Sequence, residues 1–139
     1  MSNEKRLKNR TQDELDKYGW CFATHDIYRK GVPDITGIVQ GRSIWWELKW
    51  SPTENDIIQL SHELTAPQSK MLRSTAEEGA HSGVLIGLGD QESCFIPAYE
   101  LSPGPHKSFH VPHRYSLSDL IEILCESATD GSILENTPP

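Results

Sequence analysis

Cysteine is scarce in this chain of 139 residues. There are three, Cys21, Cys94 and Cys125, widely spaced, with no Cys-x-x-Cys among them. An odd, scattered set excludes a disulfide framework and a cysteine-rich zinc site, and points to buried thiols in a reducing compartment. Long apolar runs are also missing. No stretch approaches the roughly 18 consecutive apolar residues of a membrane span. The opening MSNEKRLKNR is polar and leads into no apolar segment of the signal type, so a soluble, cytoplasmic protein without membrane partners is expected. Internal repeats and low-complexity blocks are absent from the body of the chain. A basic surplus is absent too: 13 Lys/Arg face 20 Asp/Glu, for a net charge of -7. Taken whole, that balance speaks against a nucleic-acid binder, which usually carries a basic footprint.

The average conceals an asymmetry. Residues 1–49 hold nine Lys/Arg against seven Asp/Glu, a balance of +2. Residues 50–139 hold four against 13, a balance of -9. The two parts are expected to do different electrical work. Hydrophobic residues make up 36% of the chain, enough for one modest core.

Hydrophobic periodicity suggests the element order α-β-β-β-α-β-β-α. Residues 4–18, EKRLKNRTQDELDKY, read as a solvated helix with a narrow apolar stripe at Leu7, Leu15 and Tyr18, stopped by Gly19. Residues 20–25 suit a strand. Residues 34–40 and 43–50 read as a hairpin turning at Gln40-Gly41. Residues 51–63 read as a polar connection. A helix follows, with Thr65 as N-cap, Pro67 in its first turn and Gly79 at its end. The uniformly apolar GVLIGL of 83–88 suits a strand covered on both faces. Residues 93–97 suggest another strand, and 101–114 a loop. Ser116 and Asp119 match a capping box before a stripe of Leu117, Leu120, Ile121 and Leu124. One domain is expected over 1–127, with a core at about 4–97, an added helix at about 116–126 and a flexible tail over 128–139. The architecture is that of an α/β or α+β sheet with helices against it.

The segment SIWWELKW, residues 43–50, breaks a local rule. Side chains alternate along a strand, so Glu47 and Lys49 share one face, while Trp46, Leu48 and Trp50 share the other. Charged groups within so apolar a strand are costly to bury unless something uses them. Taken alone, an ion pair on a solvated sheet face is the plainer reading. Asp34 adds a second observation. In a hairpin a residue early in one strand lies opposite one late in the next, so Asp34 and Glu47 can converge. Two converging carboxylates make a hard oxygen site suited to Mg²⁺ or Mn²⁺.

GVPD at 31–34, twelve intervening residues and ELK at 47–49 resemble the PD-(D/E)xK nuclease superfamily. Leu64-Thr65-Ala66-Pro67-Gln68, followed by MLRSTAEEG and an apolar strand, is similar to its VRR-NUC branch. That branch includes stand-alone phage and bacterial nucleases related in fold to archaeal Holliday-junction resolvases. The match spans roughly residues 20–90.

The resemblance implies a restriction-endonuclease-like core, a mixed central sheet flanked by helices in α-β-β-β-α-β order. It also implies a Mg²⁺-dependent endodeoxyribonuclease, with Mn²⁺ as a substitute. Asp34, Glu47 and the backbone carbonyl of Leu48 match metal ligands. Lys49 matches the lysine that positions or polarises the attacking water, and Gln68 matches a supporting glutamine. An early glutamate often joins such sites; Glu4 and Glu14 both qualify here. Branched DNA, such as a Holliday junction, is the implied substrate, in repair, recombination or phage metabolism. Symmetric cutting needs two sites and therefore a homodimer. A less selective DNA nuclease, and a non-catalytic nucleic-acid-binding or assembly subunit on the same fold, stand as alternatives.

Around this motif, Tyr28, Arg29 and Lys30 form a basic-aromatic loop. Lys5, Arg6, Lys8 and Arg10 cluster on the first helix, and both groups suit phosphate contacts. His106, His110 and His113 form His-x3-His-x2-His, a weak zinc pattern in a proline-rich segment that reads more simply as a loop.

Overall fold

A computed structural model describes residues 2–23, 31–52, 55–89, 91–110 and 113–130. The first helix, α1 (Asn3–Leu15), is N-capped by Ser2, whose hydroxyl accepts from Lys5 N–H at 3.1 Å. It buries Leu7, Thr11 and Leu15, and ends three residues earlier than its composition suggests. Strand β1 (Trp20–Ala23) follows. Strands β2 (Ile35–Val39) and β3 (Arg42–Ser51) then form the predicted hairpin. Its turn residues Gln40 and Gly41 lie at φ 47° and 90°, the pair of left-handed conformations that matches strand twist in a two-residue loop.

The chain continues through β4 (Ile57–Leu64), α2 (Ala66–Glu77), β5 (His81–Leu88) and β6 (Glu92–Pro97). After a short 3₁₀ turn come β7 (His106–His110), β8 (Tyr115–Ser116) and α3 (Leu117–Asp130). The main sheet has the order β1-β2-β3-β5-β6-β8. Among the described strands only β3 and β5 pair in parallel, and α2 lies on the crossover between them. Every residue of β5 is buried, as its uninterrupted apolar run requires.

The segments 51–63 and 101–114 are not plain connections. Each contributes a strand, β4 and β7, which pair antiparallel as a separate two-stranded sheet. Neither shows the apolar alternation of a half-buried strand. β4 buries only Ile58 and Leu64, with a register shift between Gln59 and Leu64, and β7 buries no residue fully. His106 and His110 therefore stand on a strand rather than a loop. α3 also runs past the expected end at 126, to Asp130. Residues 131–139 of the expected tail lie outside the described residues.

Two apolar layers sandwich the main sheet. On one face Leu7 and Leu15 of α1, Trp46 and Leu48 of β3, and Leu117, Leu120, Ile121 and Leu124 of α3 form a core. On the other, Leu72 of α2, Ile58 and Leu64 of β4, and Val84, Ile86 and Leu88 of β5 form a second. All three cysteines are buried, and none is in a disulfide among the described residues. Burial pushes the Cys94 and Cys125 thiols up to about 12. Among the described residues, no helix is long and apolar enough to cross a membrane.

Trp46 is fully buried, and its indole N–H donates to His81 Nδ1 at 3.1 Å. Burial lowers the His81 pKa from 6.5 to about 4, helped by the nearby Arg42 charge. The folded state therefore binds this proton less tightly than the unfolded chain. Its contribution is complete above pH 6.5 and is lost as pH falls toward 4, by at most about 3 kcal/mol. In a Glu47→Gln background, urea unfolding at pH 7 and pH 4.5 measures this fall. Adding His81→Asn is expected to shrink it by about 2 kcal/mol; an unchanged fall contradicts the assignment.

Candidate active site

The hairpin register sets the geometry. Ile35 pairs with Trp46, so Asp34, one residue before β2, comes opposite Glu47. Asp34 Oδ2 accepts the backbone N–H of Leu48 at 3.0 Å. Beyond Trp46, β3 has no partner in β2, and Asp34 takes that place at the sheet edge. The N–H and C=O of one strand residue point the same way. The Leu48 carbonyl is thus directed to the same open edge as Asp34.

Glu47 and Lys49 are 4% and 5% exposed, so the pair does not stand on a solvated face. Glu47 Oε2 lies 3.5 Å from Lys49 Nζ and accepts from Gln68 Nε2 at 3.0 Å. Glu47 Oε1 is buried and receives no N–H from the described residues; the carboxyl meets the Asp34 carboxyl, with which it can hydrogen-bond only when one of the two is protonated. Burial raises the Glu47 pKa from 4.5 to about 8; the adjacent Asp34 carboxyl adds to the rise, and Lys49 opposes it. A buried carboxyl oxygen without an N–H donor, beside a second carboxylate, is what a hard cation would satisfy.

Gln68 is fixed by the start of its helix. It occupies the third position of α2 in a complete capping box. Its backbone N–H donates to Thr65 Oγ1 at 3.3 Å, and its side-chain Oε1 accepts from Thr65 N–H at 2.9 Å. The amide nitrogen is left facing Glu47. One side chain thereby closes the helix end and orients the carboxylate. Gln68→Ala is expected to cost about 1 kcal/mol of stability through the lost cap and about 10- to 100-fold in cleavage through the freed Glu47. Parallel urea unfolding and cleavage kinetics check both; full activity in this variant removes Gln68 from the site.

The Gly31–Asp34 turn is docked onto the same helix. Gly31 has φ 87°, and a Cβ there would lie 2.4 Å from the Pro67 carbonyl oxygen. The loop that carries Asp34 and the helix that carries Gln68 are thus held in direct backbone contact.

The remaining candidates are spread more widely. Lys8 lies 3.5 Å from Asp34 Oδ1, both half-buried, so this lysine faces the carboxylate pair. Lys5, Arg6 and Arg10 are exposed on α1. Glu4 lies one turn before Lys8 on the same flank, and its carboxylate meets His62 of β4 at 2.5 Å. Glu14 pairs with Lys17 at 3.1 Å, further toward the C-terminal end of α1. Among the described residues, no three His, Cys, Asp or Glu side chains are gathered to hold a metal. That includes His106, His110 and His113. Neither early glutamate is brought to the Asp34–Glu47 pair, and a third protein oxygen there would come from the Leu48 backbone. Tyr28, Arg29 and Lys30 lie outside the described residues.

Sequence reading placed Lys8 among phosphate contacts and passed over its position beside Asp34. The Glu4–Lys8 spacing of four already placed both on one helix flank. His62 carries no signal in the sequence, because β4 lacks the apolar alternation of a half-buried strand.

No protein-family model matches the chain, and no curated protein matches it by sequence. Among solved structures it is similar to Hjc of Archaeoglobus fulgidus, a Holliday junction resolvase from an archaeal hyperthermophile. The TM-score is 0.61 at 18% identity, over 84% of this chain and 98% of that one. The architecture, a mixed central sheet with helices on both faces, is therefore the restriction-endonuclease-like fold.

Proposed function

We propose that this chain is a divalent-metal-dependent DNA endonuclease of the PD-(D/E)xK type, with the VRR-NUC pattern, acting on branched DNA such as a Holliday junction. The observation that carries the reading is the buried Glu47, its carboxyl set against that of Asp34 and beside Lys49, with no N–H donor to Oε1 among the described residues. Such an arrangement is costly for a purely structural sheet. It suits a site completed by a cation. Asp34, Glu47 and the Leu48 carbonyl form the oxygen set that would hold Mg²⁺ or Mn²⁺. When bound, such an ion supplies a Lewis acid against the negative charge that builds on a phosphodiester under attack.

The chain's own residues divide the remaining work. Lys49 is buried, so its ammonium acts in a medium of low dielectric. It presents N–H donors to the oxygen where charge develops. Gln68 holds Glu47 in one rotamer. The Leu48 N–H holds Asp34 in place, and Lys8 offsets the Asp34 charge from the α1 side. One chain carries one such centre, so paired cuts across a junction require a second copy. The similarity in fold to a Holliday junction resolvase supports this substrate class.

Cleavage of labelled four-way junction, flap and linear duplex with Mg²⁺ tests the reading. Preferential, paired nicking of the junction is expected. Equal cutting of all three points to the less selective nuclease. Tight DNA binding with no cutting in Mg²⁺ or Mn²⁺ points to a non-catalytic subunit.

A further inference from the structure

A second feature lies on the other flank of α1. A pocket of about 380 Å³ opens at the carboxyl ends of the parallel strands β3 and β5. That is where open α/β sheets commonly take ligands, and the volume is within the range of small-molecule sites. Arg6, Arg10, Trp50 and Gly87 line it, with Glu92 and Asn3 beside them. Trp50 is half-exposed, and its indole lies over Gly87: a Cβ there would come within 3.0 Å of Trp50 Cε3 and 3.1 Å of a Leu7 methyl. A glycine at that point lets the ring approach the strand closely, and Trp50 lines the pocket. Arg6 and Arg10 are one helical turn apart, so their guanidinium groups share one flank. Lys8, which faces Asp34, is two residues from each, about 200° round the helix. The pocket therefore lies on the flank of α1 away from Lys8 and Asp34, and Trp50 follows Glu47 by three residues along β3, about 10 Å, on the opposite face of the sheet.

We infer that this pocket binds an unpaired nucleotide of the DNA strand, with its base on the Trp50 ring and its phosphate on Arg6 and Arg10. Aromatic stacking combined with a cationic groove is the chemistry that recognises single strands without sequence preference. The separation corresponds to about two or three nucleotides from the scissile phosphate, at ~3.4 Å or more per nucleotide. Branched DNA offers such unpaired nucleotides more readily than linear duplex does. This inference rests on the nuclease reading for its placement relative to the cut.

The test uses the full chain without divalent metal, titrated with the tetranucleotide dT4 and, separately, with inorganic phosphate, following tryptophan fluorescence. Quenching by dT4 is expected, with much weaker binding of phosphate. Trp50→Leu is expected to remove the quench and weaken dT4 binding about 10-fold. The double variant Arg6→Ala/Arg10→Ala, changed at exposed positions and checked by circular dichroism, is expected to weaken it similarly. It should also lower the salt dependence of log K by about 0.7, the amount expected for one phosphate contact on a single strand. Wild-type affinity for dT4 in the double variant overturns the inference, as does phosphate binding as tightly as dT4. The two readings fail separately. A protein that cuts a junction but does not bind dT4 loses the pocket and keeps the nuclease. One that binds dT4 through Trp50 but cuts no DNA loses the nuclease and keeps the pocket.

Discussion

Glu47→Gln is expected to lower DNA cleavage by about 10³-fold or more while making the metal-free protein more stable. The two effects share one cause. Glu47 is buried, and its pKa stands near 8 because burial and Asp34 both oppose its charge more than Lys49 favours it. In the unfolded chain the same group titrates near 4.5. Between those values the folded protein binds the proton and the unfolded chain does not. Stability from this group is therefore present below about pH 4.5 and is lost as pH rises through about 8. A neutral amide of the same shape has no such slope. Its oxygen can accept from Gln68 and Lys49, and its NH₂ can occupy the place of Oε1, beside the Asp34 carboxylate. The gain over wild type should be about 1 kcal/mol or less at pH 5 and about 4 kcal/mol at pH 8. Adding Mg²⁺ should reverse the order, stabilising wild type and leaving the variant unmoved. Urea unfolding at the two pH values, with and without Mg²⁺, reads all of this. A variant less stable than wild type at pH 8 without metal contradicts the view of Glu47 as a strained, cation-seeking group.

The second large effect concerns the turn. Gly31→Val places a branched side chain where φ is 87° and where even a Cβ would lie 2.4 Å from the Pro67 carbonyl. The left-handed backbone costs about 1–3 kcal/mol for a non-glycine residue. The overlap with backbone atoms, which cannot rotate away, adds about as much. A loss of about 3–5 kcal/mol is expected, or a turn displaced from α2. In the second case Asp34 leaves its place at the β3 edge, and cleavage falls even though the protein stays folded. Chemical denaturation and cleavage kinetics separate the two outcomes. Wild-type behaviour in both contradicts the docking of this turn as the device that aligns Asp34 with Gln68.

Much of the site was legible before the fold was known, because its residues lie on local signals. Gln40-Gly41 announces a tight turn. The turn fixes the hairpin register, and the register alone places Asp34 opposite Glu47. Thr65, Pro67 and Gln68 announce a helix start, which delivers Gln68 to the end of its helix. What stayed hidden depends on contacts between distant segments. β4 and β7 are held by pairing with each other over polar residues, so neither carries a periodic apolar stripe. The depth of Glu47 and Lys49 follows from α2 and the parallel partner β5 covering them, and alternation along one strand cannot report a covered face. The pairings Glu4–His62 and Lys8–Asp34 join α1 to other segments, and the helix sequence by itself left Glu4 and Glu14 equivalent. The charge balance is explained in part: the basic surplus of residues 1–49 is distributed over both flanks of α1, with Lys8 beside the carboxylate pair and Arg6 and Arg10 at the pocket.

The most direct measurement is cleavage of an end-labelled four-way junction by the purified chain with Mg²⁺, alongside Glu47→Ala. Mg²⁺-dependent cutting by wild type, abolished by EDTA and absent from the variant, is the result expected of a metal-dependent nuclease built on Asp34, Glu47 and Lys49. Equal cutting by the variant, or no cutting by wild type in Mg²⁺ or Mn²⁺, contradicts it.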